Sequence, residues 1–236
     1  MYKRVIILAG GKGTRLRPYT VVLPKPLMPI GEYPILEVIV RQLVNNGFNH
    51  ITMAVNHQAE IMQAFFGDGK KWGIKIDYSI EDQPLGTMGP LKLLKDLSDD
   101  FLVMNGDILT DLNFAEFFDY HVSSDNLFTI SASSREEKSE YGVLEIGPDG
   151  HLIGFKEKPV VTYNVSMGVY MVNKKILEII PEDQAYGFDE LMVDLIKKST
   201  PASVKIFSGY WLDIGRPDDY MKAIEEFEIL KNRFLR

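Results

Sequence analysis

The sequence predicts a single α/β domain with a mixed, mostly parallel central sheet flanked by helices. In the first half, short apolar runs alternate with amphipathic, helix-like segments, a pattern typical of βαβ units and a parallel sheet. In the second half, strand-like runs follow one another with few helices between them, which indicates that the sheet becomes mixed. The 236 residues, 45% of them hydrophobic, are enough to bury a full-sized core in one domain spanning residues 1–236.

Periodicity and β-branched composition predict the elements of the first half. Apolar, β-branched runs predict four strands, at residues 5–9, 50–55, 75–79 and 101–104. Apolar residues at helical spacing predict three helices, at residues 34–45, 58–66 and 89–97. The first strand runs directly into a glycine-rich segment.

The second half is predicted to be richer in strands. These strands lie at residues 127–133, 141–146, 152–157, 168–172 and 203–207, and helices lie at 174–180, 188–198 and 218–235. Pro148-Asp149-Gly150 predicts a hairpin turn. The last helix has an apolar stripe that fits either the core or another subunit, so the sequence leaves a homo-oligomer open.

Charge and composition exclude several classes of partner. The net charge of −7 predicts no general basic surface, so neither nucleic acid nor an anionic membrane is expected as a partner. The chain has no cysteine and therefore no disulfide framework or thiolate metal site. No apolar run is long enough to span a bilayer and the N-terminus lacks the layout of a signal peptide, so we expect a cytoplasmic protein.

The glycine-rich segment after the first strand predicts a phosphate-binding loop. Gly10, Gly11 and Gly13 lack a Cβ and can adopt positive φ, so their backbone N–H groups can approach an anion closely. Side-chain donors stand in the same segment, at Thr14 and Arg15 and further on at Lys25. Together they predict a cradle for a polyphosphate.

Spacing excludes two other glycine motifs. The dinucleotide fingerprint requires a third glycine where Leu16 stands. The P-loop requires Gly-Lys-Ser/Thr where the chain has Gly11-Lys12-Gly13. Neither a dinucleotide-dependent dehydrogenase nor a P-loop ATPase fits the sequence.

Residues 10–16 (Gly-Gly-Lys-Gly-Thr-Arg-Leu) and 24–26 (Pro-Lys-Pro) resemble the signature of the sugar-1-phosphate nucleotidyltransferases, or sugar nucleotide pyrophosphorylases. Matching blocks follow in the family's order over nearly the whole chain, at residues 85–87, 105–107, 157–159 and 211–215. The resemblance implies a Rossmann-like nucleotidyltransferase fold. Several family members carry a further C-terminal β-helix domain, and we expect this chain to be the catalytic domain alone.

The resemblance implies a reaction between a nucleoside triphosphate and a sugar 1-phosphate, giving a nucleotide sugar and pyrophosphate. Such a reaction requires two anions to be aligned and the charge on the phosphoryl groups to be neutralised, which needs fixed cations and Mg²⁺. By resemblance, Arg15 and Lys25 hold the phosphates, and Asp107 acts with them in catalysis. Asp107 and Asp213 would be the Mg²⁺ ligands, since carboxylates are hard oxygen donors.

The resemblance also assigns binding residues for each substrate. The nucleotide-binding set is Leu8, Gly10, Gly11, Gly13, Thr14, Gln83, Gly86 and Thr87, with Gln83 as the expected reader of the base. The sugar-phosphate set is Gly142, Glu157, Lys158, Asn164 and Ser166, with Glu157 on sugar hydroxyls and Lys158 on the phosphate. Residues 165–168 read Val-Ser-Met-Gly where the family usually has Val-Asn-Ala-Gly, so Ser166 replaces an asparagine that contacts the sugar.

The closest resemblance is to mannose- and heptose-1-phosphate guanylyltransferases, which makes GTP with one of those sugar 1-phosphates the leading hypothesis. Thymidylyl-, uridylyl- and cytidylyltransferases acting on glucose 1-phosphate or another sugar share most of these features. A non-catalytic homologue that binds a nucleotide sugar and regulates a partner is a further hypothesis. A glycosyltransferase is disfavoured, because Asn105-Gly106-Asp107 supplies only half of an Asp-x-Asp motif.

Overall fold

The structure is a computed structural model, in which residues 2–56, 58–200 and 202–235 are described. Its strands are β1 (Arg4–Leu8), β2 (Pro29–Ile30), β3 (Tyr33–Pro34), β4 (His50–Val55), β5 (Lys75–Ile80), β6 (Asp100–Asn105), β7 (Ile108–Thr110), β8 (Phe128–Lys138), β9 (Val143–Ile146), β10 (Leu152–Lys156), β11 (Val160–Asn173), β12 (Ala202–Phe207) and β13 (Trp211–Asp213). Its α-helices are α1 (Ile35–Asn45), α2 (Ala59–Phe66), α3 (Phe114–Ser123), α4 (Phe188–Lys197) and α5 (Pro217–Phe234).

A seven-stranded mixed sheet forms the centre of the fold, in the order β12-β8-β11-β6-β1-β4-β5. Strands β6, β1, β4 and β5 pair in parallel, as do β12 and β8, whereas β11 runs antiparallel to both of its neighbours. The predicted mixed, mostly parallel sheet is therefore confirmed. The carboxyl ends of the parallel strands meet at one edge, where open α/β sheets bind their ligands.

Both faces of the sheet are buried, as the continuous apolar strands predict. Along β1, Val5 and Ile7 point into one hydrophobic cluster, which includes α1, α3 and α5. Ile6 points into the cluster on the other face, which includes Leu191 and Leu195 of α4. No helix within the described residues is long and apolar enough to cross a membrane.

Two predicted α-helices are wrong in type and length. Residues 89–97 form only a short 3₁₀ helix, Gly89–Leu93, because Leu94 is extended and Asp96 takes a positive φ of 57°. Residues 174–180 likewise form a 3₁₀ helix, Lys174–Glu178. Pro181 follows this segment, and a proline disfavours the helical conformation of the residue before it.

Strands β8 and β11 extend well beyond the body of the sheet and form an arm, defined here as residues 133–166. Its outer part is the β9–β10 hairpin, whose predicted turn is confirmed: Gly150 has φ 82° and its N–H donates to the carbonyl of Gly147 at 2.9 Å. The predicted strand 152–157 ends instead at Lys156, and Lys158 takes a positive φ of 43° before Pro159. All five residues that the sequence analysis expected to bind the sugar phosphate lie within this arm.

Candidate active site

A cleft of about 480 Å³ opens at the carboxyl ends of β1, β4 and β6. Its walls come from the glycine loop, from the last two residues of the Pro-Lys-Pro segment, from the ends of these strands and from the 81–87 loop. The lining residues are Leu8, Ala9, Gly10, Gly11, Lys12, Lys25, Pro26, Ala54, Asn56, Glu81, Pro84, Gly86, Thr87, Asn105, Gly106 and Asp107. The position agrees with the general rule for ligand sites in open α/β sheets.

The glycine loop keeps its backbone accessible at the cleft. A Cβ on Gly11 would meet no atom within 4 Å, so the backbone there faces open space. Gly13 adopts the left-handed region at φ 59°, and its carbonyl accepts a hydrogen bond from the Thr20 hydroxyl at 2.7 Å. The loop then closes in a 3₁₀ turn, Thr14–Leu16, which carries the exposed Arg15.

Lys25 and Asp107 form an ion pair beside the cleft. Their side chains are 10% and 22% exposed, respectively. Pro24 and Pro26 flank Lys25, and the 3₁₀ helix Lys25–Leu27 holds it against the end of β6. Two residues far apart in the sequence, one cationic and one anionic, thus share one wall of the cleft.

The pairing of β7 with β13 brings Asp213 beside Asp107. Asp213 lies opposite Ile108, and the N–H of Ile214 donates to the carbonyl of Asp107 at 3.1 Å. Burial, together with the negative charge of Asp107, raises the pKa of Asp213. Lys25 and Arg15 partly oppose this rise through their positive charges. Asp107, Lys25 and Arg15 are therefore close enough to Asp213 for their charges to shift its pKa.

Gly215 locates Arg15 relative to this carboxylate pair. A Cβ on Gly215 would lie 3.2 Å from Asp213 Oδ2 and 3.8 Å from Arg15 Nη1. The guanidinium therefore borders the same small space as the Asp213 carboxylate. No group of three or more potential metal-binding side chains occurs among the residues that the structure describes. The pair Asp107 and Asp213 supplies the hard oxygen donors that Mg²⁺ prefers, and phosphate oxygens and water would have to complete its ligands.

Glu81 is the acidic residue at the opposite end of the cleft. Its side chain is 8% exposed, and one carboxylate oxygen accepts a hydrogen bond from the Leu85 N–H at 3.1 Å. The other oxygen, Oε1, would lie 3.2 Å from a Cβ on Gly10, which places it against the glycine loop. Burial raises the pKa of Glu81.

The sequence analysis chose Gln83 from this loop as the expected reader of the base and did not assign Glu81. Gln83 is exposed and is not part of the cleft lining. The available signal was position, because Glu81 follows Ile80, the last residue of a parallel strand, where ligands bind. Lys12, Asn56 and Asn105 are other polar lining residues that the sequence analysis did not assign.

The 85–87 loop contributes to the cleft and also packs against the residues that precede and begin α4. Gly86 has φ 78°, and a Cβ there would lie 2.7 Å from the carbonyl oxygen of Tyr186. The hydroxyl of Thr87 accepts a hydrogen bond from the Phe188 N–H, at 2.7 Å, at the start of α4. The loop is therefore fixed to the segment that begins α4.

The expected sugar-binding residues are spread along the arm. Gly142 and Glu157 are neighbours at the base of the β9–β10 hairpin, since a Cβ on Gly142 would lie 3.1 Å from Glu157 Oε2. Asn164 and Ser166 line a separate cavity of about 470 Å³ with Phe188 and Met192 of α4. None of the five expected sugar-phosphate residues lines the 480 Å³ cleft.

The family model described as Nucleotidyl transferase matches residues 4–229. The chain belongs to the nucleotidyl transferase family. Among curated relatives of this nucleotidyl transferase, the mannose-1-phosphate guanyltransferase of Yarrowia lipolytica is 37% identical over 92% of the chain, and that of Gibberella zeae is 38% identical over 92%. The UTP–glucose-1-phosphate uridylyltransferase of Synechocystis sp. is 32% identical over 94%. The chain spans 62% of the length of each of these relatives.

Solved structures agree with the family assignment. HddC from Yersinia pseudotuberculosis is 31% identical, with a TM-score of 0.74 over 96% of this chain and 100% of its own. A second structure of HddC, complexed with GMP-PN, has a TM-score of 0.73 at 31% identity, over 96% and 100% of the two chains. A putative glucose-1-phosphate thymidylyltransferase from Bacillus anthracis has a TM-score of 0.78 over 95% of this chain and 94% of its own. At 24% identity it supports the fold alone.

Proposed function

We propose that this nucleotidyl transferase condenses GTP with mannose 1-phosphate or heptose 1-phosphate, giving a GDP-sugar and pyrophosphate. An oxygen of the sugar phosphate attacks the α-phosphorus, and the bond to the leaving pyrophosphate breaks. The observation that carries the proposal is the cluster of Lys25, Asp107, Asp213 and Arg15 beside a glycine loop with an open backbone. The names of the guanyltransferase relatives support the reaction and favour mannose.

The residues of the cluster supply alignment and charge neutralisation. In the proposed mechanism, backbone N–H groups of the glycine loop and the Arg15 guanidinium bind the triphosphate. Lys25 neutralises charge that develops on the α-phosphoryl and pyrophosphate oxygens. No protein nucleophile is required, because the sugar phosphate itself is the nucleophile.

Mg²⁺ is part of the proposal, with Asp107 and Asp213 as its protein ligands. Bound there, the ion would act as a Lewis acid on phosphate oxygens. Burial and the negative charge of Asp107 together raise the pKa of Asp213, and the second of these causes, repulsion between the two carboxylates, supports the assignment. A divalent cation between carboxylates and phosphates would remove that repulsion.

Glu81 supports guanine as the base. An ionised carboxylate only accepts hydrogen bonds, and guanine presents two adjacent donors, N1–H and the N2 amino group. Uracil and thymine present a single N–H between two carbonyl acceptors, which would face the negative charge of Glu81. The buried carboxylate beside Gly10 thus favours GTP over UTP and dTTP.

A substrate matrix tests the reaction and the base. Pyrophosphate release is measured with Mg²⁺ for ATP, GTP, CTP, UTP and dTTP against the 1-phosphates of mannose, heptose, glucose, galactose and fucose. We expect turnover with GTP that disappears in Asp107→Asn. Turnover confined to UTP and glucose 1-phosphate would overturn the guanylyl assignment, and binding of nucleotides without turnover would favour a regulatory homologue.

Glu81→Gln tests the base reader directly, because it exchanges one acceptor for an amide donor at nearly the same shape. We expect kcat/KM for GTP to fall about 10- to 100-fold relative to UTP, the loss associated with an unpaired buried polar group. Glu60→Gln, on an exposed face of α2, is the matched control. An unchanged ratio of GTP to UTP turnover would remove Glu81 from base recognition.

Cellular location and assembly belong to the same proposal. Nucleoside triphosphates are held inside the cell, so we expect the reaction to take place in the cytoplasm. GTP and the sugar 1-phosphate are the expected partners, and a homo-oligomer stays a prediction that size-exclusion chromatography with light scattering would test.

A further inference from the structure

Arg135 on the arm is a cation that the sequence analysis did not assign. Its guanidinium carbon lies 4.6 Å from the centroid of the Trp211 ring, which is the distance of a cation–π contact. We infer that Arg135 binds the phosphate of the sugar 1-phosphate, an inference that rests on the proposed function. Trp211 would hold the guanidinium in place.

Trp211 connects Arg135 to the carboxylate pair. Trp211 and Asp213 are two residues apart on β13, so their side chains share a face about 7 Å apart along the strand. The indole N–H of Trp211 donates to the carbonyl of Met167 at 3.1 Å, which fixes the ring. A guanidinium stacked on this ring therefore lies next to the strand that carries Asp213.

The face of β8 that carries Arg135 also contacts Met167, the residue that holds the Trp211 ring. Ser131 and Arg135 are four residues apart on β8 and share a face. The Ser131 hydroxyl donates to the sulfur of Met167 at 3.0 Å, and Met167 is the residue that accepts from Trp211. Ser131, Met167 and Trp211 thus form a continuous contact surface beneath Arg135.

The charge of Arg135 is available to a ligand. Within residues 2–56, 58–200 and 202–235, no carboxylate lies within 4.0 Å of its guanidinium, whereas Lys25 and Arg233 are paired with Asp107 and Asp111. Arg135 is exposed, and stacking on a ring leaves the in-plane N–H donors of a guanidinium free. Such donors match a phosphate in a bidentate manner.

Lys158, the cation expected from the sequence, lies farther along the arm. Arg135 pairs with Tyr163 across the β8–β11 ladder, and Lys158 precedes Tyr163 by five residues. The strand begins at Val160, three residues or about 10 Å from Tyr163. Lys158 also lies outside the ladder, in a left-handed turn before Pro159. Arg135 is therefore the arm cation with a described contact to the Asp213 strand.

The triphosphate has separate cations, which leaves the sugar phosphate to Arg135. Lys12 and Lys25 line the cleft at the glycine loop, and Arg15 follows in the same loop. Arg135 stacks on Trp211, two residues before Asp213 on β13, and would meet the second substrate on the arm side of the carboxylates. In this arrangement the triphosphate and the sugar phosphate, which repel each other, bind to different cations.

Fluorescence of Trp211 reports binding without turnover. The chain has two tryptophans, so Trp72→Phe leaves Trp211 as the only reporter. This variant is titrated with mannose 1-phosphate, heptose 1-phosphate, glucose 1-phosphate and inorganic phosphate, with Arg135→Gln, Lys138→Gln or Lys158→Gln added. Lys138 is the matched control, because it lies on β8 but its side chain belongs to the opposite face.

We expect Arg135→Gln to raise the dissociation constant for the sugar 1-phosphate about 10- to 100-fold, as for a lost charge-assisted hydrogen bond. The KM for the sugar 1-phosphate should rise to a similar extent, while the KM for GTP stays within about twofold. Lys138→Gln should leave both unchanged. If Arg135→Gln unfolds at the same temperature as the wild-type protein, a folding defect is excluded. If Arg135→Gln does not fold, Arg135→Lys is measured in its place.

Three results would overturn the inference: an unchanged dissociation constant in Arg135→Gln, a loss in Lys158→Gln alone, or no binding of any of the four anions to the Trp72→Phe protein. Failure of the proposed function gives a different result. In that case the Trp72→Phe protein binds phosphate through Arg135 but releases no pyrophosphate with any nucleotide and sugar.

Discussion

Lys25 and Asp107 form an ion pair that joins the turn after the glycine loop to the carboxyl end of β6. Asp107 is also the neighbour of Asp213 through the β7–β13 ladder. The positive charge of Lys25 thus acts on both carboxylates, and Arg15 also acts on Asp213. The arrangement suggests separate experiments on the cation, on the buried acid and on the loop that supports the cleft.

Replacing Lys25 by glutamine should reduce kcat for pyrophosphate release about 10²- to 10³-fold, because a fixed charge near the reacting phosphates is lost. The melting temperature should also fall, since Asp107 would lose its partner while staying three-quarters buried. Stopped-time pyrophosphate assays and thermal denaturation measure the two effects. Lys70→Gln, at an exposed pair with Asp68, should change neither, and an equal loss there would point to net charge.

Asp213→Asn should raise the melting temperature at pH 7 in the absence of Mg²⁺ while abolishing turnover. Burial and Asp107 raise the pKa of Asp213, so the free energy of unfolding falls as the pH rises from the unfolded value of 3.8 to the folded-state pKa, and the full loss is present above it. The advantage of the variant should therefore narrow as the pH falls toward 3.8, the unfolded value. Calorimetry between about pH 4 and pH 7.5 measures this narrowing. A lower melting temperature of the variant at pH 7 would contradict the prediction.

Recognition of GTP should weaken as the pH falls, because protonated Glu81 can no longer accept two hydrogen bonds from guanine. Burial raises the pKa of Glu81, so the KM for GTP should begin to rise at a pH above the ordinary glutamate range. Initial rates between pH 5 and 8 give this profile. In Glu81→Gln the rise should be absent, and an identical profile in both proteins would assign it to another group.

Gly86→Ala should lower the free energy of unfolding by about 2–4 kcal/mol. Alanine at φ 78° is strained by about 1–3 kcal/mol, and its Cβ would also lie 2.7 Å from the Tyr186 carbonyl. Gly47→Ala is the matched control, since Gly47 has φ 80° but a Cβ there would contact nothing within 4 Å. Urea denaturation of both variants separates the clash from the strain, and equal losses would show that the clash is relieved at no cost.

Thr87→Val should lower the free energy of unfolding by about 1 kcal/mol, because the Phe188 N–H at the start of α4 loses its acceptor. Thr87→Ser keeps the hydroxyl and should stay close to wild type. The difference between the two is measured by urea denaturation. If valine and serine had the same effect, the hydrogen bond would not be the stabilising interaction.

Local sequence patterns predicted most of the sheet correctly. The apolar runs at 5–9 and 101–104 are strands because their side chains are apolar on both faces, and such runs bury well only between two layers. The run at 50–55 is also a buried strand, although one of its faces carries His50 and Thr52. The two failed helices, at 89–97 and 174–180, have helical spacing of apolar residues but are terminated by Asp96 and Pro181. Whether a short segment forms an α-helix therefore depends more on such helix-terminating residues than on the periodicity of its apolar side chains.

The sequence by itself determined the fold class and the glycine loop, which follow from local composition and spacing, and its resemblance to a known family supplied the family and the residues of its motifs. Only the tertiary structure decided that Glu81 rather than Gln83 lines the cleft, that Asp213 stands beside Asp107, and that Arg135 stacks on Trp211. Glu81 lies directly after the end of a parallel strand, whereas Gln83 stands two residues further along the loop. The positions of Asp213 and Arg135 depend on strand register, since one residue along a strand moves a side chain to the opposite face. Register between segments distant in the chain is fixed by packing of the whole core, which no local pattern contains.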